Sequence, residues 1–516
     1  MFNSIKTISM NSIPAQQLYQ QYKEQLQKIA DVKYSAAVLQ WDQETYLPAK
    51  GADARARQIA TLSEISHQMF TDEKTGGLLQ DLLSKEIPAR QKRNAELSWE
   101  DYTRLKKLSP EFVRKMSEAV SSAFHAWIEA RKQNKFSVFE PSLAALVDLK
   151  KQEAELLGYE GHPYDALMNE YEKGATVQML DKVFSDLKTP LLDLLNEVLQ
   201  KPAADDYFLN QHFPTAQQWE WGTYLAKQLG FDFGAGRQDI SEHPFTTNFS
   251  SRDVRITTRI DENDFANMTW STIHEVGHAL YEQGLPADEY GLPLGEYASL
   301  GIHESQSRLW ENCVGRGNAF WKYYYPKLQQ YFPQQFDNIS KEQFVRAINK
   351  VKRSLIRTEA DELTYHFHVM IRYELEKHLI EGSLRVAEIP SYWNDQYKAL
   401  LRVDVPDDKQ GCLQDVHWSH GSFGYFATYS LGSFYAAQFW EQAKTDIPQL
   451  EKAIADEGDT GLLLAWLRNN IHGQGRFYTS DELCDKVTGK KLDSTVFINY
   501  LKQKMSDILK GGWLAS

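Results

Sequence analysis

From Ala15 onward, apolar side chains recur every three to four residues, beginning with Leu18, Tyr22, Leu26 and Ile29, and the same spacing returns through most of the chain. That period matches the 3.6-residue turn of an amphipathic helix, so the fold class reads as mainly α. Breakers are sparse, with 29 glycines and 17 prolines in 516 residues, a smaller share than is usual. They mark short interruptions such as Pro48-Ala-Lys-Gly51, Gly161-His-Pro163 and Gly284-Leu-Pro286. With no internal repeat or low-complexity tract, residues 1–516 read as one large unit, a helical N-terminal half over 1–235 and a second half over 236–516 that carries the chemistry.

Charge and cysteine usage narrow the partners. A net charge of −13 repels phosphate backbones and anionic lipid, so no nucleic acid and no membrane surface is expected. Cys313, Cys412 and Cys484 are far apart with no Cys-x-x-Cys pair, which writes neither a disulfide framework nor a thiolate zinc knuckle and fits a reducing compartment. Met1 to Pro14 has one lysine and no apolar run of a secretory signal, so a cytoplasmic location is expected. Gly421 to Trp440 runs 20 residues without a charge, about a bilayer's span, but its three serines, threonine, glutamine and three glycines mark it as buried protein lining something polar.

One stretch departs from the helical period: Val254, Ile256, Thr258 and Ile260 alternate with Arg255, Thr257 and Arg259, which predicts a strand. Fourteen residues further on comes His274-Glu275-Val276-Gly277-His278, an H-E-x-x-H inside the helical stretch Asn263 to Gln283, with Gly284 as its cap. Two His at i and i+4 project from one face, one turn apart, so both imidazoles reach a single zinc ion. Glu275, from a neighbouring face, is placed to accept a proton from the attacking water instead of ligating. The competing reading is a buried, hydrogen-bonded His pair without a metal.

A catalytic zinc needs a third protein ligand and an open position. Glu304, 26 residues after His278 in Gly301-Ile-His-Glu-Ser-Gln-Ser-Arg308, is the best candidate, and His303 beside it is a candidate supporting group. The alternative His-x-x-Gly-x-x-His extension is absent.

Together these residues resemble the carboxypeptidase Taq family of HExxH metallocarboxypeptidases. Signatures similar to that family's appear in order as His243-Pro-Phe245, Asp253-Val-Arg255-Ile-Thr257, the zinc motif, His303-Glu-Ser-Gln306, Ile356-Arg357-Thr-Glu-Ala-Asp361 and Gly411-Cys-Leu-Gln-Asp-Val-His417-Trp418. Trp41-Asp-Gln-Glu-Thr45 near the start and Ile471-His472 with Gly475-Arg-Phe-Tyr478 near the end extend the resemblance over nearly the whole chain. It implies a large helical metallopeptidase with a long central groove, one Zn2+ per chain (Co2+ or another divalent ion being possible), release of single C-terminal residues with broad preference, peptide partners with a free C-terminus, and a homodimer. Ala427, where the family is expected to carry Pro, touches local loop rigidity only.

An exopeptidase of this kind must recognise a free α-carboxylate, which a guanidinium does with paired charge-assisted hydrogen bonds; Arg357 and Arg255 are the candidates. The competing role for Arg357 is an ordinary i,i+4 helix pair with Asp361. The strand from Val254 could lend an edge to an extended peptide, fixed by Asp253, Arg255 and Thr257. An oxyanion needs a donor besides the metal, and His417, Tyr425 and Tyr429 are the candidates, His417 preferred. The alternatives are a helical zinc oligopeptidase that cuts internally and a non-catalytic peptide-binding protein, the intact Glu275 speaking against the second.

Overall fold

The structure, a computed structural model, describes residues 14–510; residues 1–13, on which the expectation about a secretory signal rests, lie outside them. Four helices form an N-terminal layer: α1 (Ala15–Thr45), α2 (Ala52–Thr71), α3 (Glu73–Leu83) and α4 (Ala89–Lys106). Then come α5 (Pro110–Gln133), α6 (Glu140–Leu157), α7 (Pro163–Met168), α8 (Val177–Leu199) and α9 (Thr215–Gln228). In α8 the Thr176 hydroxyl caps the Met179 amide, and Leu180, Phe184, Leu187, Leu191 and Leu194 bury one face at the expected spacing. At about 1.5 to 3 kcal/mol for each buried side chain, that face outweighs the cost of Pro190 inside the helix, about 3 kcal/mol.

A three-stranded sheet follows: β1 (Gly236–Ile240), β2 (Thr246–Ser250) and β3 (Asp253–Thr258), in the order β1-β3-β2. β3 runs parallel to β1 and antiparallel to β2, with Arg255 opposite Arg237 on one side and Thr247 on the other. The alternating stretch is therefore a strand, but a central one. Both its edges are paired, so it cannot itself receive a peptide; the edge open among the described residues on the side of Glu275 is that of β2. The flanking strands went unforeseen because Gly-Arg-Gln-Asp-Ile and Thr-Thr-Asn-Phe-Ser have no apolar alternation.

The chain continues with α10 (Phe265–Gly284) and α11 (Leu300–Arg308), then α12 (Asn318–Tyr331), α13 (Pro333–Phe336), α14 (Lys341–Ile348), α15 (Tyr365–Glu381) and α16 (Ile389–Gln396). It closes with α17 (Phe426–Asp446), α18 (Leu450–Glu457), α19 (Gly461–Asn470), α20 (Ser480–Thr488) and α21 (Ser494–Lys510). The motif helix α10 starts two residues later than its apolar pattern indicated, because the Asp264 carboxylate accepts from the amides of Ala266 and Asn267 and so fixes the first turn.

One apolar core runs from Ala123 to Leu501 and takes in Ile273, Val276 and Leu280 of α10 with Leu431 and Phe434 of α17. A smaller core joins Leu18, Tyr22 and Leu26 of α1 to Leu79 and Leu82 of α3 and is closed by Leu292. The uncharged stretch ends as the buried part of α17, and no helix among the described residues is long and apolar enough to cross a membrane.

Candidate metal centre and active site

His274 and His278 on α10 and Glu304 on α11 each place a ligand atom within 4.8 Å of the others. Glu304 Oε2 lies 3.7 Å from His274 Nε2 and 3.4 Å from His278 Nε2. Ligand atoms on tetrahedral arms of about 2.1 Å stand about 3.4 Å apart, so two imidazoles and one carboxylate at these distances fit a single zinc-sized cation. Burial alone would raise the Glu304 carboxyl, but Arg308, His274 and His278 hold it well below the usual carboxylate range. It is an anion where a cation would sit.

What aims the two imidazoles differs. Nδ1 of His274 lies 2.8 Å from Glu311 Oε2, which turns Nε2 toward the triad. Glu311 sits in a π-helical turn, Leu309–Val314, that prolongs α11. Such turns recur at functional sites because they re-register the side chains that follow. Arg308 then bridges the two carboxylates, donating from Nε to Glu304 Oε1 at 2.7 Å and from Nη1 to Glu311 Oε2 at 3.3 Å. Neither Arg308 nor Glu311 was identified from sequence, although their spacing from Glu304, four and seven residues, was the available signal. His278 instead places Nδ1 2.6 Å from Nδ1 of His303, and burial pushes its pKa down to about 3, so the ring is neutral.

Glu275 stands outside the ligand group. It is buried, its Oε2 accepts from the Thr246 hydroxyl at 2.6 Å, and burial raises its pKa against the opposing pull of His274 and Thr246. A buried carboxylate with a raised pKa beside the triad has the character that a proton acceptor needs. Thr246, the residue after the His243-Pro-Phe245 signature, was missed.

Of the two arginines, the structure brings Arg357 close and leaves Arg255 apart. Thr246, opposite Ile256, reaches α10, so the sheet face bearing Ile256 packs on the motif helix and Arg255 lies on the other face. There its guanidinium holds Asp253 and stacks 4.3 Å from the Trp41 ring. Arg357 is no helix partner of Asp361, which accepts the amides of Leu363 and Thr364 instead. It sits buried in a short 3-10 turn, donates to Asp415 Oδ1 at 2.9 Å and to the Tyr365 hydroxyl at 3.0 Å, and lies 4.9 Å from the centre of the Tyr429 ring. Arg372 grips the second oxygen of Asp415 from α15 at 2.6 Å. Arg372 was also missed; an arginine inside the apolar run Phe367 to Leu375 was the signal.

His417 Nε2 meets the Tyr429 hydroxyl at 3.1 Å, and its buried Nδ1 has no partner among the described residues. Burial lowers its pKa to about 3. Tyr425 and Tyr429 pack 5.2 Å apart beside it. A cleft of about 1230 Å³ lies alongside, lined by Tyr171, 5.2 Å from Tyr425, and by Tyr297, whose ring stands edge-on 4.8 Å from His303, but by none of the three donors.

A helical protein with His, His and Glu converging on one point and a second buried carboxylate alongside is built like a metal-dependent hydrolase. Residues 21–505 match the family described as carboxypeptidase Taq (M32) metallopeptidase, and the chain belongs to that family. It is 38% identical over 488 residues to carboxypeptidase 1 of Bacillus subtilis, covering 94% of this chain and 97% of that one. A solved M32 carboxypeptidase from Deinococcus radiodurans superposes with a TM-score of 0.94 at 40% identity, covering 96% of this chain and 100% of that one. A structure named CHT shows 58% identity and a TM-score of 0.93, over 95% and 99% of the two chains. The chain is thus a metallocarboxypeptidase, and the internal-cutting and non-catalytic alternatives give way.

Proposed function

We propose that this chain is a zinc carboxypeptidase in which His274, His278 and Glu304 hold one Zn2+, Glu275 is the general base and Arg357 receives the substrate's C-terminal carboxylate. The convergence of the three donors beside an unligated, buried Glu275 carries the reading. The bound ion supplies Lewis acidity, polarising the scissile carbonyl and lowering the pKa of water toward about 7, and Co2+ or another divalent ion can use the same donors. Glu275, held by Thr246, takes the proton of the attacking water and delivers it to the leaving amine.

Exopeptidase action follows from charge. Arg357, Arg372 and Asp415 form a buried trio with one positive charge in excess, and Arg357 uses only part of its five-donor fork on Asp415 and Tyr365. An α-carboxylate neutralises that excess; an internal peptide bond does not. His417 supports the oxyanion, since a buried ring nitrogen without a partner is costly unless a ligand pairs with it. Tyr425 and Tyr429 wall the same space.

The free edge of β2 aligns the peptide. Phe245 carbonyl accepts from the Thr257 amide, so by alternation the amide and carbonyl groups of Thr246 and Asn248 point away from β3. Reading a backbone and a carboxylate leaves side chains weakly selected, which accounts for broad preference. The proposal includes a single catalytic unit over 1–516, supported by the core that joins both halves, and a cytoplasmic homodimer, carried by the family resemblance.

The test is a pair of identical peptides, one free acid and one C-terminal amide, followed by mass spectrometry with the zinc-loaded protein. Stepwise single-residue loss from the free acid alone is expected. Internal fragments from both would overturn the proposal.

A further inference from the structure

Donors and acceptors can be counted around His278. Its Nε2 is the atom turned toward Glu304, and its Nδ1 lies 2.6 Å from Nδ1 of His303 and 3.1 Å from the His303 carbonyl oxygen. The other nitrogen of His303, Nε2, is 2.7 Å from Glu282 Oε1. Glu282 is buried, and the Asn248 side-chain amide of β2 donates to its second oxygen. Tyr297 stands edge-on against the His303 ring and keeps it in place.

Two ring nitrogens 2.6 Å apart require one hydrogen between them. If Nε2 of His278 offers a lone pair to a cation, the hydrogen of that neutral ring is on Nδ1. His303 then accepts through Nδ1, its own hydrogen is on Nε2, and Glu282 is the acceptor for it. The reverse polarity would put a hydrogen on His278 Nε2, pointing into the triad. An acceptor-only carboxylate at the far end of the chain selects the first arrangement, because it has no hydrogen to give back.

We propose that Glu282, acting through His303, is a positioning residue that fixes the tautomer and orientation in which His278 accepts the metal, and that Asn248 ties this relay to β2. His274 gets the same service directly from Glu311, whereas His278 gets it through an intervening imidazole. The inference rests on the metal-site reading above.

The test measures zinc affinity by competition with a chromophoric chelator, on the full chain, for Glu282→Gln, His303→Leu and His303→Gln. Loss of an outer-shell partner costs roughly 10- to 100-fold in metal affinity, and that is the expected weakening for Glu282→Gln and His303→Leu. His303→Gln is expected to recover most of it, since an amide oxygen can accept from His278 while its NH2 donates to Glu282. A role in packing alone would not separate Gln from Leu at position 303. Zinc binding at parental strength in Glu282→Gln and His303→Leu, or equal weakness in both position-303 variants, overturns the inference. A parent protein that binds no zinc at all overturns the metal-site reading itself, and so marks that failure apart.

Discussion

Gly432 of α17 lies directly over the side chain of Glu304: a Cβ at position 432 would stand 2.5 Å from Glu304 Cγ and 2.6 Å from its Cβ. One turn further along α11, a Cβ on Gly277, the fourth residue of the motif, would stand 2.6 Å from Ser307 Cα. α11 is therefore approached closely by both α10 and α17, each with a glycine at the point of contact. That close approach is what carries the Glu304 carboxylate to 3.4 Å from His278.

Gly432→Ala is expected to displace Glu304, because Ser307 and Arg308 already hold its carboxylate and leave it no room to retreat. Overpacking of this kind costs about 1 to 3 kcal/mol. Zinc retained after dialysis should fall well below one per chain while the helical circular dichroism is kept; full zinc occupancy in the variant would show that the contact does not set the ligand.

Glu275→Gln should keep its zinc and lose turnover by about 10³-fold, since the residue acts on the proton and not on the metal. Thr246→Val removes the hydroxyl that holds the Glu275 carboxylate and favours its charged form. The base then protonates at higher pH, so the acid limb of the kcat/KM profile moves upward. A Thr246→Val profile that superposes on the parent's would detach Thr246 from the base.

How much of this was legible depended on whether the information was local. His274, Glu275 and His278 share one helical turn, and Glu304 lies within the next apolar-periodic segment, so the side chains that come together could be picked out from spacing. Glu311 is spaced for the same face, seven residues on, but nothing local tells a carboxylate that orients a histidine from a solvated one. Arg357 and Arg255 were indistinguishable on residue type; only the pairing of Thr246 with Ile256, which turns Arg255 to the far face of the sheet, separates them. Asp415 meets Arg357 across 58 positions of chain and Arg372 across 43, contacts too distant in sequence for any local pattern to pair them.

Arg357→Met should cut kcat/KM on the free-acid peptide by about 10²-fold or more, the loss of a charge-assisted pair worth about 1.5 to 3 kcal/mol per bond, and leave the residual rate on the amidated peptide unchanged. Arg255→Met should change either rate less than threefold. Equal losses on acid and amide would remove Arg357 from carboxylate recognition.

Pairing at the β2 edge predicts sensitivity to the substrate's backbone. Methylating the nitrogen of the amide that faces Thr246 or Asn248 should raise KM at least tenfold, and changing the neighbouring side chain should not. Insensitivity to N-methylation at every position upstream of the scissile bond would show that the peptide does not lie on this strand.

Glu376 gives a pH dependence with a definite sign. Buried on α15, it accepts from Tyr164, from the Trp418 indole at 2.7 Å and from the Gly424 amide at 2.8 Å. Burial nevertheless pushes its pKa up from 4.5 to about 7. Between those values the folded protein holds a proton that the unfolded chain releases, so this group's contribution is complete below pH 4.5 and is lost as pH rises through 7. The loss is on the order of 3 kcal/mol. Depressed carboxyls such as Asp415 work oppositely and at lower pH, their stabilisation disappearing as acid protonates them. Glu376→Gln isolates the first effect. The amide leaves either the Trp418 or the Gly424 N–H facing a donor, a pH-independent cost of about 1 to 3 kcal/mol. The stability gap between parent and variant should therefore shrink from pH 5 to pH 8. A gap that is constant across that range, measured by denaturant unfolding, would place the Glu376 proton elsewhere.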